Sequence, residues 1–249
     1  MIKWHQYQVM IEPLAKASNC VYQGFDVLRD IPVAIKVCRR IKRAEKEAEI
    51  MQDYGKHPCL PRFYDFFVQD KQAYIVMELV KGQRINCPKG GPVRDPMLAI
   101  AITRQILEGL KHLHRCGFIH FDIAHHNIMI ENDKPQTVKI LDYCGSVRKN
   151  AKGIWLTKRR GGTINFRPPE QEQTPCLLSP ASDLYSVARL CYWLITRSLP
   201  SVSRPFSLPD KQLQSLLGRG MQTESKLRYQ SATEFIQALD NWEQRKNTR

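Results

Sequence analysis

The chain has 249 residues, 43% of them hydrophobic, which is enough to bury a sizeable core in one large domain or two joined lobes. Its 38 Lys and Arg against 24 Asp and Glu give a net charge of +14, a surplus that favours anionic partners. No window approaches the roughly eighteen uninterrupted apolar residues of a membrane span, no fixed-period repeat occurs, and the eight cysteines include no C-x-x-C pair, which excludes a spanning helix, a repeat array and a zinc ribbon.

The first eighty residues read as strands interrupted by one helix. "QYQVMIEP", "CVYQGFDVL", "PVAIKVC" and "AYIVMEL" are short, rich in Val, Ile and Tyr, and separated by turn residues. Between the third and fourth, "RRIKRAEKEAEIMQDYG" predicts a helix of good formers closed by Gly55. The interval Lys81 to Pro96 is loop-like, with three Gly and three Pro.

Beyond it the texture is helical. "PMLAIAITRQILEGLKHLHRCG" stops at Gly117, "SDLYSVARLCYWLITRSLP" begins at a Ser-Asp cap and stops at Pro200, and "QSATEFIQALDNWEQ" predicts a last amphipathic helix. Charge is unevenly spread: Met1 to Val80 holds 12 basic against 10 acidic residues, and the remainder holds 26 against 14.

"HFDIAHHNIMI", His120 to Ile130, admits three readings: buried packing, a metal cluster of His120, His125 and His126 with Asp122, or a catalytic loop. The spacings H-x-x-x-H and H-E-x-x-H of zinc sites are absent. Other stretches weigh on the choice, namely "VAIK" ending at Lys36, "VKILDYCGS" with Asp142, and "GGTINFRPPEQ" with Thr163 and Glu170.

In order and interval, over roughly residues 7–243, these stretches resemble the eukaryotic-type protein kinase family, and the likeness leans to its Ser/Thr branch. The resemblance implies an α+β, bilobal protein-kinase-like fold forming a single domain, 1–249. Its small N-lobe, an antiparallel sheet plus one helix, would span about 1–79. A hinge would follow at about 79–82, then a larger, mainly helical C-lobe over 83–249.

The same resemblance implies site roles. Lys36 would grip the nucleotide phosphates, with its rotamer fixed by Glu47, while Glu45 and Glu49 are read as a solvated face. Asp122 would be the catalytic base, and Asn127 and Asp142 would hold Mg²⁺, with Mn²⁺ as an alternative. Val21, Ala34 and Met129 would enclose the adenine of ATP, Met77 would close the rear, and Glu78 and Val80 would offer backbone bonds. Thr163 would bond near Asp122, Glu170 would pair with Arg228, and Asp183 would hold the catalytic loop's backbone.

Several positions depart from the family pattern. Ala15, Ala17 and Cys20 stand where a G-x-G-x-x-G cover is usual, Ala124 replaces a lysine, and Cys144 replaces the Gly of D-F-G. Phe121 replaces the arginine that receives a phosphorylated activation segment, so catalysis is expected not to depend on a phosphate there. Between Asp142 and Glu170 lie seven basic residues and no acid, which predicts an acidic protein substrate or a polyanion as partner. The chain is read as cytoplasmic and free of the membrane, with its oligomeric state open. Two alternatives to a protein kinase stand beside it: a pseudokinase that binds or docks without transfer, and a kinase-like enzyme for a small-molecule acceptor.

Overall fold

The structure, a computed structural model, describes residues 2–16, 20–85, 95–131, 137–200 and 206–247. The chain divides into two compact units, Met1–Lys81 and Gly82–Arg249.

The first unit is an antiparallel sheet with one helix. Its strands are β1 (Ile2–Trp4), β2 (Tyr7–Lys16), β3 (Cys20–Asp26), β4 (Ile31–Cys38), β5 (Phe63–Gln69) and β6 (Gln72–Glu78), in the order β1-β2-β3-β4-β6-β5. β4 lies in the middle of the sheet, and Val33, Ala34, Ile35 and Lys36 are all buried, as expected for a strand covered on both faces. One face packs Tyr7, Val9, Val33, Ile35, Tyr74 and Val76 into a core. Gly24 sits where strands approach closely: a Cβ there would meet the Ile35 side chain at 3.0 Å and the Gln8 carbonyl at 3.2 Å.

Helix α1 (Ile41–Tyr54) follows β4 and ends at Gly55, whose φ of +69° is costly for any residue with a Cβ. Its buried residues, Ala44, Glu47, Ala48, Ile50, Met51 and Tyr54, recur at three- and four-residue spacing.

The second unit is mainly helical. It contains α2 (Pro96–Arg115), α3 (Pro180–Thr196), α4 (Lys211–Gly220) and α5 (Ala232–Asn247). Short strands complete it: β7 (Gly82–Arg84), β8 (Phe118–Ile119), β9 (Ile128–Glu131), β10 (Val138–Ile140), β11 (Val147–Arg148), β12 (Trp155–Thr157) and β13 (Cys176–Leu178). β10-β9-β7 form one small sheet, and β11-β8 and β12-β13 form two ribbons. Its core is apolar side chains of the helices, with Ile106, Leu110, Leu184, Val187, Phe235 and Leu239 all at 0% exposure.

Caps explain where these helices begin. Asp95 accepts from the Met97 amide at 2.9 Å, and Asp210 from the Gln212 and Leu213 amides at 3.0 Å each. The helix expected to start at a Ser-Asp cap starts three residues earlier: Ser179 is its N-cap and Pro180 its first residue, so Ser182 and Asp183 lie in the first turn. It also ends before Pro200, at Thr196, with Arg197 in the left-handed conformation.

No described helix is long and apolar enough to cross a membrane. Cys87, most of the Lys81 to Pro96 interval and Ala17 of the expected phosphate cover lie outside the described residues.

Candidate active site

The expected site residues fall into both units. Val21, Ala34, Lys36, Glu47, Met77, Glu78 and Val80 belong to the first, and Asp122, Asn127, Met129, Asp142 and Thr163 to the second.

In the first unit, strand register does the gathering. Val21 pairs with Lys36, Lys36 with Ile75 and Ala34 with Met77, so Val21, Ala34, Lys36 and Met77 share one face of the sheet. On α1 the apolar stripe carries Glu47 inward, while Glu45 and Glu49 stay exposed. Lys36 Nζ donates to both Glu47 oxygens, at 2.7 and 2.9 Å, with both side chains buried. Two charges withdrawn from water persist only when paired, and the bidentate contact fixes the lysine's rotamer. At the end of β6, Glu78 is tied to Arg62: its amide donates to the Arg62 carbonyl at 2.8 Å, and its carboxylate accepts from the Arg62 amide at 3.0 Å.

In the second unit, a buried carboxylate organises the loop between β8 and β9. Asp183, from the first turn of α3, accepts from the His120 amide at 2.8 Å and the Phe121 amide at 2.9 Å, and His114 Nε2 lies 2.8 Å from it. Burial opposes its charge, but the bond and charge of His114, the nearby His120 and the Phe121 amide prevail and hold its carboxyl below the usual range. Phe121 itself takes φ +77°, a strained conformation for a bulky residue. It is held there from both sides, because Gln171 Nε2 donates to its carbonyl at 2.9 Å.

This anchoring sets out the loop's other groups. Thr163 donates to Asp122 Oδ1 twice, from its amide at 2.8 Å and its hydroxyl at 2.7 Å. Asn127 Nδ2 donates to the Asp122 carbonyl at 2.9 Å, which leaves its amide oxygen as the acceptor. His120 Nδ1 accepts from the Asp122 amide at 3.3 Å, and its Nε2 faces the Leu141 carbonyl at 3.2 Å, so the proton belongs on Nε2. The His120 ring meets Tyr143 edge-on at 5.3 Å, and the Tyr143 hydroxyl donates to the Ile140 carbonyl at 2.7 Å. The readings of this stretch therefore separate: His120 is structural, and the His120, His125, His126 and Asp122 set forms no metal-ligating group among the described residues.

Asp142 follows β10 at φ +67°, half-buried, and accepts the Cys144 amide at 3.4 Å. Met129 lies half-buried on β9, opposite Lys139 and Arg84.

Phe121 also anchors the segment that follows. With Ile119, Val147, Cys176 and Leu178 it forms a buried cluster against Trp155. A Cβ at Gly161 would stand 2.6 Å from the Phe121 ring, and Gly162, at φ +77°, lies against the Phe121 carbonyl. An aromatic ring thus fixes this segment by apolar packing. Further on, Arg228 donates to both Glu170 oxygens at 2.8 and 2.9 Å, and Ser182 Oγ donates to the same carboxylate at 2.9 Å.

Two positioning groups escaped the sequence reading, His114 and Gln171. Ser182, expected as the helix cap, instead lies in the first turn and accepts the Ser179 amide. Nothing in the sequence distinguishes His114 or Gln171 from ordinary surface residues.

A sheet with a buried lysine–glutamate pair, and a helical unit whose central helix anchors an H-x-D-x-x-x-x-N loop, define the protein-kinase fold. Residues 17–246 match the family model described as protein kinase domain, and the chain belongs to that family. It is similar to the serine/threonine-protein kinase PknL of Mycobacterium tuberculosis, 32% identical over 206 residues that cover 78% of this chain and 50% of PknL. It is also similar to PrkC of Bacillus subtilis, 30% identical over 72% of this chain and 28% of PrkC, and to RAD53 of Saccharomyces cerevisiae, 29% identical over 82% and 26%. The chain thus spans between about a quarter and a half of the length of these relatives.

Proposed function

We propose that this chain transfers the γ-phosphoryl group of ATP to Ser or Thr hydroxyls of protein substrates. The observation that carries this reading is the asymmetric hold on Asp122. Thr163 engages Oδ1 through two bonds, and no described residue bonds Oδ2. One oxygen is therefore fixed, and the other is left to orient an acceptor hydroxyl and take its proton.

The remaining residues fit the same chemistry. Lys36, oriented by Glu47, supplies a fixed cation for the α- and β-phosphates. For the adenine, the first unit offers Val21, Ala34 and Met77 with main-chain groups of Glu78 and Val80, and the second offers Met129. The Asn127 amide oxygen and the Asp142 carboxylate form a hard oxygen pair suited to Mg²⁺, with Mn²⁺ as a substitute. Bound metal and nucleotide supply the transferable phosphoryl group and neutralise its charge. The Glu170–Arg228 pair and the Thr163 contact favour a protein acceptor over a small molecule, and the basic stretch from Arg148 to Arg167 favours an acidic one.

Label transferred from γ-labelled ATP to a mixed acidic protein acceptor tests the reading. Acid-stable, base-labile label on Ser or Thr is expected. Base-stable label on tyrosine, or label on a small hydroxylated acceptor alone, would replace it; no label from folded protein would leave a docking pseudokinase.

A further inference from the structure

Ribbon β12–β13 has one buried face and one exposed face. Thr157, Cys176 and Leu178 turn inward, and Cys176 and Leu178 pack on the Phe121 cluster, whereas Leu156 and Leu177, paired directly across the ribbon, point out at 48% and 62% exposure. A one-sided antiparallel ribbon normally carries polar residues on its wet face. Here both outward positions are leucine, and Ile154, just before β12, is 40% exposed as well.

The patch has a basic border. Lys152 and Lys158 are exposed on either side of β12. No acidic residue occurs between Asp142 and Glu170, and Glu172, on the approach to β13, is paired with Arg167. A second copy of this chain would bring the same cations and another +14 charge to the face, which disfavours self-association. We propose that the outward face of β12–β13 docks an acidic protein segment carrying apolar side chains, which cover Leu156 and Leu177 while its carboxylates meet the lysines. This site stands on the ribbon alone and does not depend on transfer at Asp122.

Fluorescence anisotropy, with no nucleotide present, tests it with a labelled peptide of alternating Glu and Leu and a control with Ser for each Leu. The Glu-Leu peptide should bind and the Glu-Ser peptide should not. Leu156→Thr with Leu177→Thr, a change that keeps strand propensity, should weaken binding about tenfold or more. Lys152→Glu with Lys158→Glu should weaken it and reduce its salt dependence. Equal binding of the two peptides would reduce the site to non-specific charge and overturn the proposal. So would unchanged affinity in the threonine variant, no binding by either peptide, or sedimentation showing a dimer that the threonine variant dissolves.

Discussion

Arg228 and Glu170 form a bidentate ion pair in which the Arg228 side chain is fully buried and Glu170 is 16% exposed. The guanidinium also donates to the Gln222, Thr223 and Ala181 carbonyls, so it joins the end of the Phe166–Glu170 stretch to the loop before α5 and to α3. Glu170→Ala would strand a buried cation, at a cost of about 3–5 kcal/mol. Urea unfolding should show a lower midpoint whose shift, multiplied by the slope, gives that free energy, with little change in the slope itself.

Phe121 packs the 143–170 segment through an apolar cluster, and transfer is predicted not to depend on a phosphate there. Thr157 is buried with its hydroxyl accepting the Arg159 amide at 3.1 Å, and Thr163 is committed to Asp122. Phosphatase-treated protein should therefore retain its transfer rate, and Thr157→Glu should lower stability because it forces a charge against an apolar cluster. Phe121→Arg should destabilise by several kcal/mol, of order 3–5, for the same reason. A phosphatase-sensitive rate restored by Thr157→Glu would refute this account.

His125 gives the loop an acid-sensitive point. Burial first, then the neighbouring charges of His126 and Arg197, hold its pKa below the ordinary 6.5. As pH falls below about 6.5 the unfolded chain takes up a proton that the folded chain refuses, so stability declines until the folded pKa is passed. Thermal melts from pH 7.5 to 5 should show this loss, and His125→Gln should lack its share of it.

Two thiols are predicted to be inert. Burial pushes Cys191 up to about 12 and, with help from Glu170, Cys176 up to about 11. Iodoacetamide at pH 8 should leave both unmodified in folded protein and alkylate both in urea, as read by mass spectrometry.

Much of this was legible in the sequence because it rests on short-range pattern. The short Val- and Ile-rich run of "PVAIKVC" between turns and the helical stripe around Glu47 mark β4 and α1 without any long-range information. β5, "FYDFFVQ", was not read as a strand: its apolar run is nearly continuous, so periodicity does not separate strand from helix. α4 was missed because it is ten residues long and carries two glycines, leaving Asp210 as its clearest marker. The holds on Phe121 by Gln171 and on Asp183 by His114 span 50 and 69 residues, and only the folded chain brings such partners together.

The central claim is that Asp122, held on one oxygen by Thr163, drives phosphoryl transfer. The most direct measurement is the single-turnover transfer rate from γ-labelled ATP with Mg²⁺, comparing wild type with Asp122→Asn at matched nucleotide occupancy. A loss of about 10²-fold or more with nucleotide affinity unchanged is predicted. Transfer at the wild-type rate by Asp122→Asn would contradict it.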